Sequence, residues 1–310
     1  MSSDTSKDAD TSVHLQHVLI KWTGGKRRQA RRIVGRFPRK IATYHEPFLG
    51  GGAVLHELLG RTDIRVGRIE CGDTCVPLIE LWQVVRDDPD GLLRRYAEGW
   101  ATLKSQGKGF YYEVRDRFNR TGDPRLFFFL LRTCRNGLVR FNRRGEFNTG
   151  FHAARPGMEP ETVEAVLADW WRRLGRVPVR FAVRDYREVS TAPGDLLYLD
   201  PPYFNEDGQY YSGMIDFPEF FGWLRGQRGD FLLSLNGFLG DEDRTVAVPG
   251  DLYDEHLLLD NGVSPFDRLN GEAALPLTDS LYIRRGRRPG GLSAPRPAPP
   301  GPPGSASARS

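Results

Sequence analysis

Asp195-Leu196-Leu197-Tyr198-Leu199-Asp200-Pro201-Pro202-Tyr203 is the stretch whose reading decides the fold. Its apolar centre, opened by Gly194 and Asp195, predicts a buried strand of a parallel sheet. Two successive prolines cannot continue a sheet ladder, and each fixes its own φ, so the chain leaves the strand as a stiff extended corner. That corner carries a carboxylate (Asp200), backbone carbonyls and an aromatic face (Tyr203). In an open α/β sheet, ligands bind just beyond the carboxyl ends of the strands. Acceptors beside a π-face suit a planar ring that bears an amino group. A bare Pro-Pro-Tyr would read as an ordinary strand exit; the acid after so apolar a strand favours a site.

Upstream lie two glycine-bearing segments. Val18-Leu19-Ile20-Lys21-Trp22-Thr23-Gly24-Gly25-Lys26 is a short apolar run ending in glycines and a lysine, followed by an Arg-rich helical stretch from Arg27 to Arg36. Ile41 to Glu46 predicts a strand, Pro47-Phe48-Leu49-Gly50-Gly51-Gly52 a loop, and Ala53 to Leu59 a helix ended by Gly60. Strand, glycine loop and helix form a cofactor cradle, since small residues admit a ligand at the helix N-terminus. The spacing is not the dinucleotide G-x-G-x-x-G, so a pyrophosphate is not the natural tenant. A second strand, Arg65 to Glu70, leads to Asp73, 23 residues after Gly50. An acid at that distance commonly holds ribose hydroxyls.

With 310 residues, the chain is long enough for one large domain with an inserted subdomain. It has no apolar run of membrane-spanning length, and its first ten residues are polar and acid-rich. Neither a span nor a signal peptide is expected, and the cytoplasm, on the nucleoid, is the expected location. Cys71, Cys75 and Cys134 lack zinc-type spacing and read as packed, reduced thiols, with no metal site expected. The net charge of +4 is unevenly placed. Arg115 to Glu146 holds nine arginines against three acids, and Arg284 to Ser310 six arginines and no acid. The remainder is therefore negative, and the two basic blocks fit a polyanion binder as well as they fit a solvated basic face.

The Asp87-Asp88-Pro89-Asp90-Gly91 break precedes basic helical patterns at Leu92 to Leu103 and Tyr111 to Asn119. After apolar Leu126 to Leu131, arginines alternate with apolar residues through Arg132-Thr133-Cys134-Arg135-Asn136-Gly137-Leu138-Val139-Arg140-Phe141-Asn142-Arg143-Arg144-Gly145-Glu146-Phe147-Asn148. Turn signals at Asn136-Gly137 and Arg144-Gly145 predict a ribbon or loop that tracks a groove, with guanidinium forks for guanine edges and Asn for phosphates. Thr162 to Leu174 predicts an amphipathic helix whose Trp170 and Trp171 face the core. Val179 to Val183, Phe231 to Leu235 and Ser280 to Ile283 predict strands, and Asp241 to Asp243 a solvated acidic loop. Residues 1–16 and the Pro/Gly/Arg-rich 286–310 are expected to be disordered.

Four motifs, Lys21-Trp22-Thr23-Gly24-Gly25-Lys26, Glu46-Pro47-Phe48-Leu49-Gly50-Gly51-Gly52, Asn136-Gly137-Leu138-Val139-Arg140-Phe141-Asn142-Arg143-Arg144-Gly145-Glu146-Phe147-Asn148 and Asp200-Pro201-Pro202-Tyr203, occur in that order. Together they resemble the Dam-type (D12 class, alpha-group) DNA adenine-N6 methyltransferases, over about Val18 to Arg285. The resemblance implies a Rossmann-like α/β sheet that binds S-adenosylmethionine, built from residues 17–83 and 159–285. It also implies a helical and hairpin target-recognition insert at 84–158. Trp22, Lys26, Phe48, Gly50, Gly52, Asp73 and Asp200 would hold the cofactor. Asp200, Pro201, Pro202 and Tyr203 would act on an adenine flipped from duplex DNA, the proline corner accepting from N6 and Tyr203 stacking on the base. Lys21, Arg135, Asn136, Arg140, Asn142 and Arg144 would contact DNA, with Arg140 reading a guanine.

One departure bears on specificity. The family usually places an aromatic wedge before Asn-Gly, where this chain has Arg135, so a GATC target does not follow. Cytosine-N4 methylation by the same chemistry is an alternative, although Ser more often precedes Pro-Pro-Tyr there. A catalytically silent DNA-binding regulator is another. No Pro-Cys dipeptide is present, against cytosine-C5 chemistry. A cognate restriction endonuclease is a further possible partner.

Overall fold

The carboxyl ends of two neighbouring parallel strands, β1 (Lys40–Glu46) and β4 (Leu196–Leu199), meet at the point where the sheet changes direction. The computed structural model describes residues 18–152, 157–202, 215–263 and 275–286. The expected disorder at 1–16 and, from 287 on, of the 286–310 tail, and the role of Tyr203, lie outside the described residues.

Strand β2 (Arg65–Asp73) pairs with β1, and β3 (Val179–Val183) with β2, both in parallel. On the other side β4 leads to β5 (Asp230–Leu239), again parallel. The sheet then turns antiparallel through β8 (Pro276–Arg284) to β7 (Glu255–Val263). The order is β3-β2-β1-β4-β5-β8-β7, with the short β6 (Glu242–Asp243) pairing with β5. All four residues of β4 are buried, as its unbroken apolar run requires of a central parallel strand.

The helices are α1 (Ala30–Val34), α2 (Ala53–Gly60), α3 (Val76–Asp87), α4 (Pro89–Gln106), α5 (Lys108–Thr121), α6 (Pro124–Thr133), α7 (Pro160–Leu174) and α8 (Phe217–Arg225). The Asp87–Gly91 break is a helix-to-helix corner. Asp88 caps α4 by accepting from the Gly91 N–H at 3.0 Å, and Pro89 takes the first helical position, where no N–H is needed. Every residue of α6 from Leu126 to Thr133 is buried, with α3, α4 and α5 packed around it. Such an all-round apolar stretch marks the middle of a helical layer.

Several expectations change. Trp170 is core, 4.6 Å in ring centroids from Trp82, but Trp171 is 57% exposed because it sits one residue further round α7. Strand β5 does not end near Leu235 but runs to Leu239, with a register shift against β8 between Asn236 and Leu239. The acidic Asp241–Asp243 loop contains the exposed strand β6. Helices α3 and α8 and strand β7 have no counterpart in the sequence reading. All three cysteines are buried free thiols. No helix of the described residues is long and apolar enough to cross a membrane.

Candidate active site

A cleft of about 260 Å³ opens at the ends of β1 and β4, where an open α/β sheet is expected to hold its ligand. Trp22, Lys26, Phe48, Gly50, Gly52, Asp73, Asp200, Pro201 and Pro202 line it, so all the expected cofactor and catalytic residues within the described segments meet in one place.

The loop after β1 is shaped by the protein as much as by a ligand. Gly50 and Gly52 have φ of 49° and 66°, the left-handed region in which a side chain is strained. A Cβ on Gly50 would lie 2.8 Å from the Trp22 ring, and one on Gly52 2.8 Å from that of Trp82. Trp82 Nε1 also donates to the Gly50 carbonyl at 3.0 Å. The glycines were expected to clear room for a cofactor; their immediate neighbours are these two tryptophans, which clamp the loop into a cradle.

Asp73, at the end of β2, accepts from the Gly50 N–H at 3.2 Å and the Cys75 N–H at 3.0 Å. Burial raises its carboxyl to about 6 despite these bonds. An ionised carboxylate offers about four acceptor sites, so capacity for ribose hydroxyls remains. Phe48 lies 5.6 Å from Tyr186, which opens a 3-10 turn (Tyr186–Glu188) capped by Asp185 after β3 on the facing wall. Aromatic rings here and the Asp73 carboxylate fit the adenine and ribose of an adenosine, and the Asp200 carboxylate fits a cationic sulfur. The sequence reading missed this wall; its signal was an acid two residues beyond a strand end.

Lys26 does not simply face the cofactor. Its ammonium lies 3.0 Å from Asp200 and 3.2 Å from Asp279 of β8. Burial alone would lower the lysine pKa, but the two carboxylates raise it, so Lys26 is charged. Asp279 also escaped the sequence reading, although an acid at the head of the apolar Ser280 to Ile283 run was a signal.

Glu46, 2% exposed at the end of β1, accepts from the Tyr44 hydroxyl at 2.8 Å. Burial pushes its carboxyl up to about 8, with the nearby Asp200 charge adding to the effect. At neutral pH it is therefore protonated. Since its folded pKa lies above the unfolded value, stability is lost as pH rises from about 5 to about 8. Glu46→Gln, which mimics the neutral form, is expected to flatten that part of the Tm–pH curve. Parallel wild-type and variant melting curves between pH 5 and 9 would show that Glu46 is ionised throughout.

The arginine-rich segment is a short irregular hairpin. Phe141 bridges Phe147 in antiparallel fashion, and the Asn142 N–H donates to the Glu146 carbonyl at 2.8 Å. Both phenylalanines turn inward onto Phe127, while Arg140 points outward, its Nε donating to Asn148 Oδ1 at 3.2 Å. Asn119 of α5 bonds both the N–H and the carbonyl of Phe147, fixing the hairpin to its helix. Asn142, expected to contact DNA, also has a local role. Its side chain accepts from the Arg144 and Glu146 N–H groups and donates to Glu146 Oε2, holding the turn. Arg144 is exposed at the tip and pairs with Glu146 at 2.9 Å, a solvent-screened contact of little stability. Arg135 is exposed and, with Asn136, opens the 3-10 turn ending at Gly137.

That turn touches the cofactor-side segment. A Cβ on Gly137 would lie 2.7 Å from the Lys21 side chain, and buried Arg132 donates to the carbonyls of Val18 and Leu19 at 3.0 and 3.3 Å. Lys21 is thus placed beside the hairpin, and Trp22 and Lys26 in the cleft, by one run of chain.

The family model for D12 class N6 adenine-specific DNA methyltransferases matches residues 22–219. The chain belongs to this family. It is 34% identical over 202 residues to the type II methyltransferase M.MjaIII of Methanocaldococcus jannaschii, covering 60% of this chain and 68% of that protein. It is 32% identical over 190 residues to a DNA adenine methylase of Haemophilus influenzae, covering 60% of this chain and 63% of that one. The chain thus spans about two thirds of the length of these relatives. Among solved structures, the rRNA methyltransferase aviRa from Streptomyces viridochromogenes aligns with a TM-score of 0.41 at 16% identity, over 89% of this chain and 93% of that one. The matched family region runs from the Trp22 wall of the cleft to α8 and includes the hairpin.

Proposed function

We propose that the protein methylates N6 of adenine at a specific site in duplex DNA, using S-adenosylmethionine. The observation that carries this reading is Asp200, a carboxylate at the end of β4 with a proline corner after it, in the same cleft as the glycine loop and Asp73. Trp22, Phe48 and Asp73 hold the cofactor, which supplies a methyl group on a cationic sulfur. Residues 84–158 serve as the recognition insert, and Lys21, Arg135 and Arg140 present the DNA-reading surface.

The residues account for the difficult part of the chemistry. An exocyclic adenine amine is a weak nucleophile because its lone pair is delocalised into the ring. Asp200 and the Pro201 carbonyl accept its two N–H groups, which draws the nitrogen towards sp³ geometry and localises the lone pair. As the new N–C bond forms, Asp200 stabilises the positive charge on N6 and takes up the released proton. Lys26 holds Asp200 in place for this. Flipping the base costs a few kcal/mol, supplied by contacts to the insert. A cytoplasmic setting on the nucleoid, and a restriction endonuclease of matching specificity, belong to the same proposal.

The test is mass spectrometry of nucleosides from mixed-sequence duplex DNA incubated with the protein and S-adenosylmethionine. N6-methyladenine is the expected product. N4-methylcytosine would move the substrate base, and no product on any DNA would refute catalysis.

A further inference from the structure

We infer that Asp279 is a positioning residue that, by offsetting the Lys26 charge, makes the site prefer the cationic methyl donor over its neutral demethylated product. The inference rests on the reading above. Asp279 is 5% exposed and held in β8 between two strands, opposite Asn236 of β5 and Leu259 of β7. It is not among the residues lining the cleft, and its contact with the site is the Lys26 ammonium at 3.2 Å.

The argument is one of charge. Lys26 with Asp200 alone would be a neutral pair, with no negative charge left over to face a cationic sulfur. With Asp279 added, the buried Lys26 and Asp279 and the part-exposed Asp200 carry one net negative charge. Glu46, protonated at neutral pH, does not alter that sum. Methyl transfer converts a sulfonium into a thioether, so donor and product differ at the sulfur by one positive charge. A site with surplus negative charge binds the first more tightly than the second, which favours product release. Sharing Lys26 between two carboxylates also leaves Asp200 a stronger acceptor towards N6 than an exclusive ion pair would.

The experiment measures, on the full chain, the dissociation constants of S-adenosylmethionine and S-adenosylhomocysteine by calorimetry. A unit charge about 12 Å from the sulfur, at an effective dielectric of about 20, changes such a ratio by roughly tenfold. Asp279→Asn is therefore expected to lose about tenfold of the wild-type preference for the donor. Asp279→Glu should keep most of it, and Lys26→Met with Asp279→Asn, which restores the net charge, should return towards the wild-type ratio. An unchanged ratio in Asp279→Asn would overturn the inference, because a residue with only a structural role would weaken both ligands alike. If Asp279→Asn does not fold, Lys26→Met is compared with the double variant, which removes the same charge without stranding an ammonium. Equal ratios in that pair overturn the inference equally. A wild-type protein that binds neither ligand or leaves adenine unmethylated refutes the parent reading; one that does both while the variant ratios stay level refutes the role of Asp279 alone.

Discussion

Asp200→Ala should lower the rate of methyl transfer to DNA by at least about 10²–10³-fold, the cost of deleting one preorganised group that stabilises transition-state charge. The loss is expected in kcat, since Asp200 acts on a charge that exists only once N6 begins to attack. Cofactor binding should survive in weakened form, since one negative charge beside the sulfonium is lost. Trp22, Phe48 and Asp73 are untouched, and Lys26 keeps Asp279 at 3.2 Å as a partner for its buried charge. The comparison is single-turnover methylation beside the donor dissociation constant. A variant that turns over at the wild-type rate would remove Asp200 from the mechanism. One that folds but binds no donor would make it a cofactor residue first.

Arg140→Ala should relax sequence preference at one position and cost roughly 1–3 kcal/mol at the cognate site. Arg140 is exposed and contacts the hairpin through Asn148, while the fold of that hairpin rests on Phe141, Phe147 and Asn119. Truncation should therefore leave the melting temperature nearly unchanged. Methylation of a randomised duplex library, read by sequencing, separates the outcomes. Loss at one base position marks a base contact, whereas equal weakening on every sequence marks a phosphate contact.

The parts of this molecule legible in its sequence are those encoded locally. The Asp200 corner was legible because a wholly apolar strand, an acid and two prolines are each unambiguous and adjacent. The same holds for strands β1 to β3, whose turn and glycine signals sit at their ends. What was illegible depends on partners far away in the chain. Nothing near Lys26 announces that its ammonium is shared by a residue just past β4 and one within β8. Gly52 reads as room for a ligand until the Trp82 ring is seen against it. The bonds by which Asn142 pins its own turn, from the Arg144 and Glu146 N–H groups, show only once that turn is folded. Strand β7 alternates poorly because three leucines, Leu257 to Leu259, run together, a pattern that suits a helix segment as readily as a strand.

Arg132 and Gly137 hold the run of chain from Val18 to Lys21, and the same run continues into Trp22 and Lys26. Whatever shifts this segment at one end is felt at the other. Thermodynamic linkage then imposes symmetry: if an engaged duplex tightens the hold on the methyl donor by some factor, the donor must tighten the hold on that duplex by the same factor. A noncognate duplex that leaves the hairpin differently seated would transmit a smaller factor, so part of the enzyme's fidelity would reside in cofactor affinity and not in base contacts.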